Sequence, residues 1–191
     1  MASLSSIGRS SHPLPTMSTA ACALLTRIAA YQIPNAAPSQ HPFHLIISRG
    51  SVVDFSHHNP QSAAIVNAAN EGCLGGGGVD GAIGNAGGPK LFEDRRALPM
   101  VGPGVRCKTG SAVVTGPNSY GKLHNSYVIH AVGPNYRQFN KLADGDALLS
   151  SAYVSSLNCA KDANLEAVAF SLLSSGIFRG KRSQKEVLRT G

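Results

Sequence analysis

The chain is 191 residues long and carries 17 Lys+Arg against 10 Asp+Glu, a formal net charge of +7. That length fits one domain with a substantial core plus an appendage, and no apolar run approaches the roughly 18 residues that a membrane span needs. The charge favours anionic partners such as a nucleotide diphosphate; the basic residues are scattered with few aromatics among them, so a nucleic-acid groove is the weaker reading.

Residues 1–53 contain no Asp or Glu. Met1–Thr19 is rich in Ser and reads as disordered; it suits either an organellar transit peptide or, slightly favoured, a dispensable extension. Ser18–Tyr31 is rich in Ala and Leu behind a Ser/Thr cap, which predicts a short helix with Leu24, Leu25, Ile28 and Tyr31 on its apolar face. Pro34–Pro42 reads as a linker, so residues 1–42 form an extension and 43–191 the domain. His41 and His44 have H-x-x-H spacing but no third ligand nearby, and no metal is expected. The cysteines Cys22, Cys73, Cys107 and Cys159 lie far apart without a C-x-x-C, which reads as a reduced, intracellular set.

Phe43–Ser48 is a predicted strand and His57–Gln61 a turn. Ala63–Val66 is a short β-branched run that reads as a buried strand, with Asn67 and Asn70 where it ends. Gly75–Gly78 follow, and Val79-Asp80-Gly81-Ala82-Ile83 begins a helix. Strand, glycine loop and helix N-terminus together suit an anionic ligand, because glycine lets backbone N–H groups approach a phosphate and the helix end adds partial positive charge. A bare glycine run is more often a linker, but a linker is not bounded by a strand and an amphipathic segment. A dinucleotide fold is excluded by the lack of an acidic residue about 20 positions on, and a P-loop by the lack of G-K-[ST].

Gly81–Ala86 continues as helix, Gly87-Gly88-Pro89 breaks it, and Lys90–Leu98 resumes as a charged helix with Leu91, Phe92 and Leu98 facing inward and a solvated charged face. Ser111–Thr115 and Ser126–Val132 are strands, the second holding His130 as a satisfied buried histidine. Asp144–Asn164 is an amphipathic helix carrying Leu148, Leu149, Ala152, Leu157 and Ala160 toward the sheet. Ala167–Leu173 is a buried strand leading into the turn Ser174-Ser175-Gly176-Ile177-Phe178. Ser183–Glu186 is a capping box that opens a last short helix. Strand-rich and helix-rich segments alternate, so the fold class is α/β with a mixed sheet between helices.

The run I-V-N-A-A-N, then G-G-G-G-V-D-G-A-I, resembles the signature of macro domains, which bind ADP-ribose, and is nearest the branch that removes single ADP-ribose units from proteins. The resemblance continues through Gly87-Gly88-Pro89, Cys107–Ala112, Tyr127–Pro134 and Ser174–Phe178, covering about residues 43–190 in order. It implies a three-layer α/β/α fold that lacks the family's last central strand and helix at its C-terminus. It implies ADP-ribose lying across Gly75, Gly76, Gly77, Gly78 and Val79 and across Ser174, Ser175, Gly176, Ile177 and Phe178. Asn67, Ser51 and Val52 join that binding set, and Phe178 lies against the distal ribose. The residues implicated in catalysis map to Asn70, which would position the sugar, and Asp80, which would orient or deprotonate the attacking water.

Two departures bear on this. Gly50-Ser51-Val52 stands where the family commonly has Gly-Asp-Ile, so either Ser51 makes a weaker contact to adenine, Asp54 reaches round, or adenine selection is relaxed. Gly84 stands where the hydrolases often carry a His. The implied function is hydrolysis of ADP-ribose from mono-ADP-ribosylated protein or related esters; the alternative is a non-catalytic reader of ADP-ribose or an inactive relative. No cofactor is implied, the chain is expected to be a monomer away from membranes, and its compartment is cytoplasm or nucleus, with an organelle as the alternative.

Overall fold

The computed structural model describes residues 25–33 and 43–191. The expected disorder of Met1–Thr19, the Pro34–Pro42 linker and the first part of the Ser18–Tyr31 helix lie outside these residues. Within them the expected helix is absent: Thr26–Ile33 is a strand, β1, pairing antiparallel with β2, Phe43–Arg49, from Thr26 opposite Arg49 to Ile33 opposite Phe43. Helix propensity is worth only tenths of a kcal/mol per residue, and the β-branched and aromatic residues Thr26, Ile28, Tyr31 and Ile33 find a paired strand there instead.

The remaining strands form a second sheet. They are β3 (Ala63–Ala68), β4 (Ala112–Thr115), β5 (Tyr127–Ala131) and β6 (Ala167–Phe170), in the spatial order β4-β5-β3-β6. β3 lies parallel to both β5 and β6, whereas β4 runs antiparallel to β5, so the sheet is mixed as expected. β6 is shorter than the sequence suggests: it stops at Phe170, and Ser171 N–H donates once more to Val66 O at 3.3 Å before the chain turns away.

Two long helices cover this sheet, α1 (Gly78–Ala97) and α2 (Leu142–Asp162). Side chains alternate across a strand, and the two faces sort accordingly. Ala64, Val66, Ile129 and Ala131 pack with Leu149, Ala152 and Ala160 of α2, joined by Leu173 and by Val187 of the terminal helix α3 (Gln184–Leu188). Ile65 and Val128 pack on the other face with Ile83 and Leu91 of α1 and with Tyr120. The result is a three-layer α/β/α arrangement.

Both helices turn a narrower stripe inward than expected. The buried residues of α1 are Asp80, Ile83, Gly87, Leu91 and Arg95, and those of α2 are Gly145, Leu149, Ala152, Ser156 and Ala160. Phe92 and Leu157, one position beyond the stripe and thus about 100° round the helix, stand exposed. The Arg96 guanidinium lies over the Phe92 ring instead. The expected break in α1 is a kink: Gly88 adopts φ 65° and ψ −162° just before Pro89, and helix continues on both sides. The Ala86 carbonyl, left at the bend, accepts from Lys122 N at 2.7 Å.

This packing predicts unequal costs within α2. Leu149→Ala should lose about 2–5 kcal/mol in urea unfolding, whereas Leu157→Ala should stay within about 0.5 kcal/mol of the parent.

Candidate functional site

β3, β5 and β6 are mutually parallel, so their C-terminal ends lie at one edge of the sheet, where open α/β folds bind ligands. The Asn70–Gly78 loop leaves β3 there, Val132–Asn135 leaves β5, and Ser174–Phe178 follows β6. Both loops singled out in the sequence are therefore brought to the same edge.

The first loop ends in Gly77, which caps α1 without any side-chain hydrogen bond, so the first-turn N–H groups have no side-chain acceptor. Gly75 and Gly78 hold φ of 135° and 61°, values that disfavour other residues. Asn70 braces this loop from within: its Nδ2 donates to Gly75 O at 2.8 Å and its Oδ1 accepts from Cys73 N at 3.2 Å. One hydrogen and one lone pair of the amide expected to handle a sugar thus go to the loop's own backbone, and one of each is left over.

Beneath the loop lies a buried polar network on the α1 face of the sheet. Asn67, at the end of β3, donates through Nδ2 to Asp80 Oδ1 at 2.8 Å and to His130 Nδ1 at 3.1 Å. The far nitrogen of that ring lies 3.0 Å from Thr115 Oγ1, whose hydroxyl also lies 3.3 Å from Val128 O. This chain of partners makes Nδ1 the acceptor and Nε2–H the donor, so the imidazole is neutral. Burial, with the nearby Arg95 charge, pushes the His130 pKa down to about 3. The sequence expectation of a satisfied buried histidine holds.

Asp80 is 3% exposed and Arg95 2%, and the two meet as an ion pair with Arg95 Nη2 2.6 Å from Asp80 Oδ1. Arg95 also donates through Nε to the Cys73 carbonyl, so one guanidinium holds both the carboxylate and the loop. A side chain expected on the solvated face of α1 is in fact the largest fully buried residue of the site. The signal was present in the sequence: Arg95 follows Ile83, Gly87 and Leu91 at four-residue steps. Gly84 leaves space beside it, since a Cβ there would stand 3.8 Å from Arg95 Nη1.

Two oxygens of this network, Asn67 Oδ1 and Asp80 Oδ2, are buried without a hydrogen-bond partner. Asp80 Oδ2 points up at the loop: a Cβ on Gly76 would come within 2.9 Å of it, so only glycine lets the backbone close over the carboxylate. Cys73 and Cys107 are buried alongside, the Cys73 thiol 3.5 Å from Asn70 O and the Cys107 thiol 3.7 Å from Lys108 O and 3.9 Å from His130 O. Both are free thiols, as is Cys159.

In the second loop Ser174 holds a φ of 54° and donates through Oγ to Pro134 O at 2.9 Å, tying the exits of β5 and β6 together. Ser175 Oγ donates to Leu172 O at 2.8 Å. Gly176 precedes the short 3-10 turn Ile177–Arg179, in which Ile177 is exposed and Phe178 half-buried. Beside this turn a cavity of about 450 Å³ is lined by Tyr136, Phe139 and the cations Arg137, Arg179, Lys181 and Arg182. Ser51 is placed differently: it caps the 3-10 turn Val52–Asp54, accepting from Val53 N at 3.3 Å, and Val52 packs against the α1-side core.

The sequence model of the Macro domain matches residues 66–187. A curated relative, the O-acetyl-ADP-ribose deacetylase 1 of Pantoea vagans, is 44% identical over 115 residues, 60% of this chain and 63% of its own. Across the first curated relatives, all named as macro domain-containing proteins, the chain spans about 61–67% of their length. Among solved structures, the Oceanobacillus iheyensis macrodomain with ADP superposes with a TM-score of 0.63 at 27% identity, covering 85% of this chain and 79% of that one. The Trypanosoma brucei macrodomain in complex with ADP-ribose gives a TM-score of 0.53 at 36% identity, covering 68% of this chain and 47% of that one.

The buried pair predicts a cost for removing one partner. Arg95→Met leaves the Asp80 carboxylate uncompensated and should lose about 3–5 kcal/mol in chemical denaturation. Adding Asp80→Asn should restore part of that loss, since no unpaired charge remains. His130 predicts a pH dependence of definite sign. Its folded pKa lies below the unfolded value of about 6.5, so its contribution is complete above that pH and is lost as pH falls. Between pH 6.5 and 5, above most carboxylate titration, stability should fall by up to about 1.4 kcal/mol per unit, and His130→Gln should flatten that slope.

Proposed function

Because the chain belongs to the macro domain family, we propose that it binds ADP-ribose at the C-terminal edge of its parallel strands and hydrolyses ADP-ribose esters. The observation that carries this reading is the pair of buried, unpartnered acceptors, Asn67 Oδ1 and Asp80 Oδ2, beneath a loop of backbone donors. Such a site has two chemical halves. The glycine loop and the Ser174–Phe178 turn offer backbone N–H groups and a helix N-terminus to a diphosphate, with no need for Lys or Arg. The acceptors beneath require a hydroxyl donor, which a ribose or a bound water supplies.

In this reading Asp80 accepts a hydrogen bond from a water directed at the anomeric carbon. As the new C–O bond forms at the anomeric carbon, the bond from that carbon to the ester oxygen breaks, the carboxylate leaves with the electron pair, and the water's proton passes to solvent. Arg95 keeps Asp80 in one orientation, and Asn70 keeps the loop in shape around it. Similarity to a protein named as an O-acetyl-ADP-ribose deacetylase supports the ester as substrate class.

One observation favours a second reading, a module that binds ADP-ribose without turnover. Asp80 is almost fully buried and its other oxygen is held by Arg95 and Asn67, so a nucleophilic water has little room at its side.

Calorimetric titration of the full chain with ADP-ribose, followed by turnover of ADP-ribose esterified to a carboxylate through its anomeric carbon, separates these. One equivalent should bind, and Gly176→Leu should weaken binding at least tenfold with Tm unchanged, because a Cβ there meets nothing within 4 Å of the protein. Turnover that falls at least a hundredfold in Asp80→Asn supports the hydrolase; binding without any turnover supports the reader; no binding by folded protein overturns both.

A further inference from the structure

At the other end of the sheet, where β3 and β6 begin, a second group of side chains converges. His57 and His58 lie in the turn before the 3-10 segment Pro60–Ser62 that leads into β3, and Glu166 immediately precedes β6. One ligand atom from each of the three lies within 4.8 Å of the others. We propose that His57, His58 and Glu166 bind a divalent transition-metal ion of the zinc class, clamping the entry to β3 onto the entry to β6.

The donor set selects the ion. Two imidazoles and one carboxylate suit zinc, cobalt, nickel or copper, whereas magnesium and calcium take oxygen ligands. Together the neutral imidazoles and the carboxylate supply a single negative charge against a dication, and three protein ligands leave a fourth position for water, as three-ligand zinc sites do. Bonds of about 2.0–2.1 Å in a tetrahedron bring ligand atoms to about 3.4 Å apart. The separations here close to that value by small rotations of side chains that are exposed or half-buried.

Two of the three ligands, His57 and Glu166, are already braced by neighbouring groups. His57 Nδ1 lies 3.1 Å from Asn59 O and 3.4 Å from Asn59 N; in the tautomer that donates to the carbonyl, the shorter of the two contacts, Nε2 is the nitrogen open to a metal. Glu166 is braced twice by Ser62: its Oε2 accepts from Ser62 Oγ at 3.0 Å, and its backbone N–H donates to Ser62 O at 2.7 Å. The turn itself is stiff, since Asn59 Oδ1 accepts from Gln61 N at 3.2 Å and Pro60 fixes the next φ. The two imidazole rings lie 4.1 Å apart and tilted by 49°, so their nitrogens converge without the rings stacking flat.

The site lies away from the glycine loop, so its role is a clamp and not chemistry on the ligand. β6 is bonded to β3 alone among the described strands, through four residue pairs beginning with Ala63 opposite Ala167. A bridge between Glu166 and the His57–His58 turn would fasten the start of that edge strand, which would otherwise fray first.

The test uses chelator-treated full-length protein titrated with Zn²⁺ and, for its visible spectrum, with Co²⁺. One equivalent should bind, Tm should rise by about 5 °C or more at a hundredfold excess of free Zn²⁺ over Kd, and the Co²⁺ spectrum should lack thiolate charge-transfer bands. Glu166→Gln should weaken binding at least tenfold, and the His57→Gln/His58→Gln double variant should abolish the Tm rise, with the metal-free Tm of each within about 2 °C of the parent. Glutamine can still accept from Ser62, so Glu166→Gln keeps the fold and remains informative if the double variant does not. Absence of binding, affinity unchanged in the variants, or a thiolate band would each overturn the assignment.

Discussion

Asp80 and Arg95 are fifteen residues apart on one helix, and in a straight α-helix their Cα atoms would be separated by about 22 Å, beyond the combined reach of the two side chains. They meet at 2.6 Å because α1 bends at Gly88 and Pro89, folding its second half back toward its first turn. The kink and the ion pair therefore depend on each other. The proline removes a hydrogen bond that would straighten the helix, Gly88 supplies the positive φ, and the buried charges give the bent form a strong energetic preference over other angles. Since Arg95 also grips the Cys73 carbonyl, the bend sets the position of the glycine loop as well.

A buried ion pair is weak evidence for stability as such, because desolvation takes back most of the Coulombic gain. Its value here is orientation. Asp80 Oδ1 is held by Arg95 and Asn67, which leaves Oδ2 facing Gly76, and Asn67 is itself held by His130, whose ring is anchored on Thr115. Each member fixes the next, and the chain of contacts runs from antiparallel β4 through β5 and β3 to α1. A carboxylate so placed cannot swing to a new partner when a ligand arrives, which is the kind of preorganisation a hydroxyl-binding site needs.

Most of the sheet and its helices were legible in the sequence because their signals are local. Ala63–Val66, Tyr127–Ala131 and the α2 repeat show period 2, an unbroken apolar run, or period 3.6 within one element. Thr26–Ile33 misled because its alanines suit a helix, and only the distant Phe43–Arg49 makes it a strand. Arg95 was hidden for a different reason. Gly87-Gly88-Pro89 reads as a stop, which cut the stripe of α1 in two, so a charge continuing that stripe looked like solvated surface. Glu166 and the adjacent histidines were invisible because no spacing rule connects residues brought together only by parallel pairing of β3 and β6.

The chemistry of the unsatisfied atoms narrows what the site can hold. Asn67 Oδ1 and Asp80 Oδ2 are both acceptors, and one belongs to a carboxylate. A bare phosphate placed against them would meet repulsion with no donor to offset it, so in the proposed binding mode the phosphates stay above, on the loop amides and the helix end. A group that met these acceptors would have to carry hydrogens, and the loop that closes over them would have to open to admit it. A polynucleotide has its phosphates spread along a backbone and no reason to converge on one loop. A sugar joined to a diphosphate presents charge and hydroxyls a few ångströms apart in the order in which loop and network are stacked. The +7 net charge of the chain attracts any of these anions, but only the last is complementary to both halves of the site.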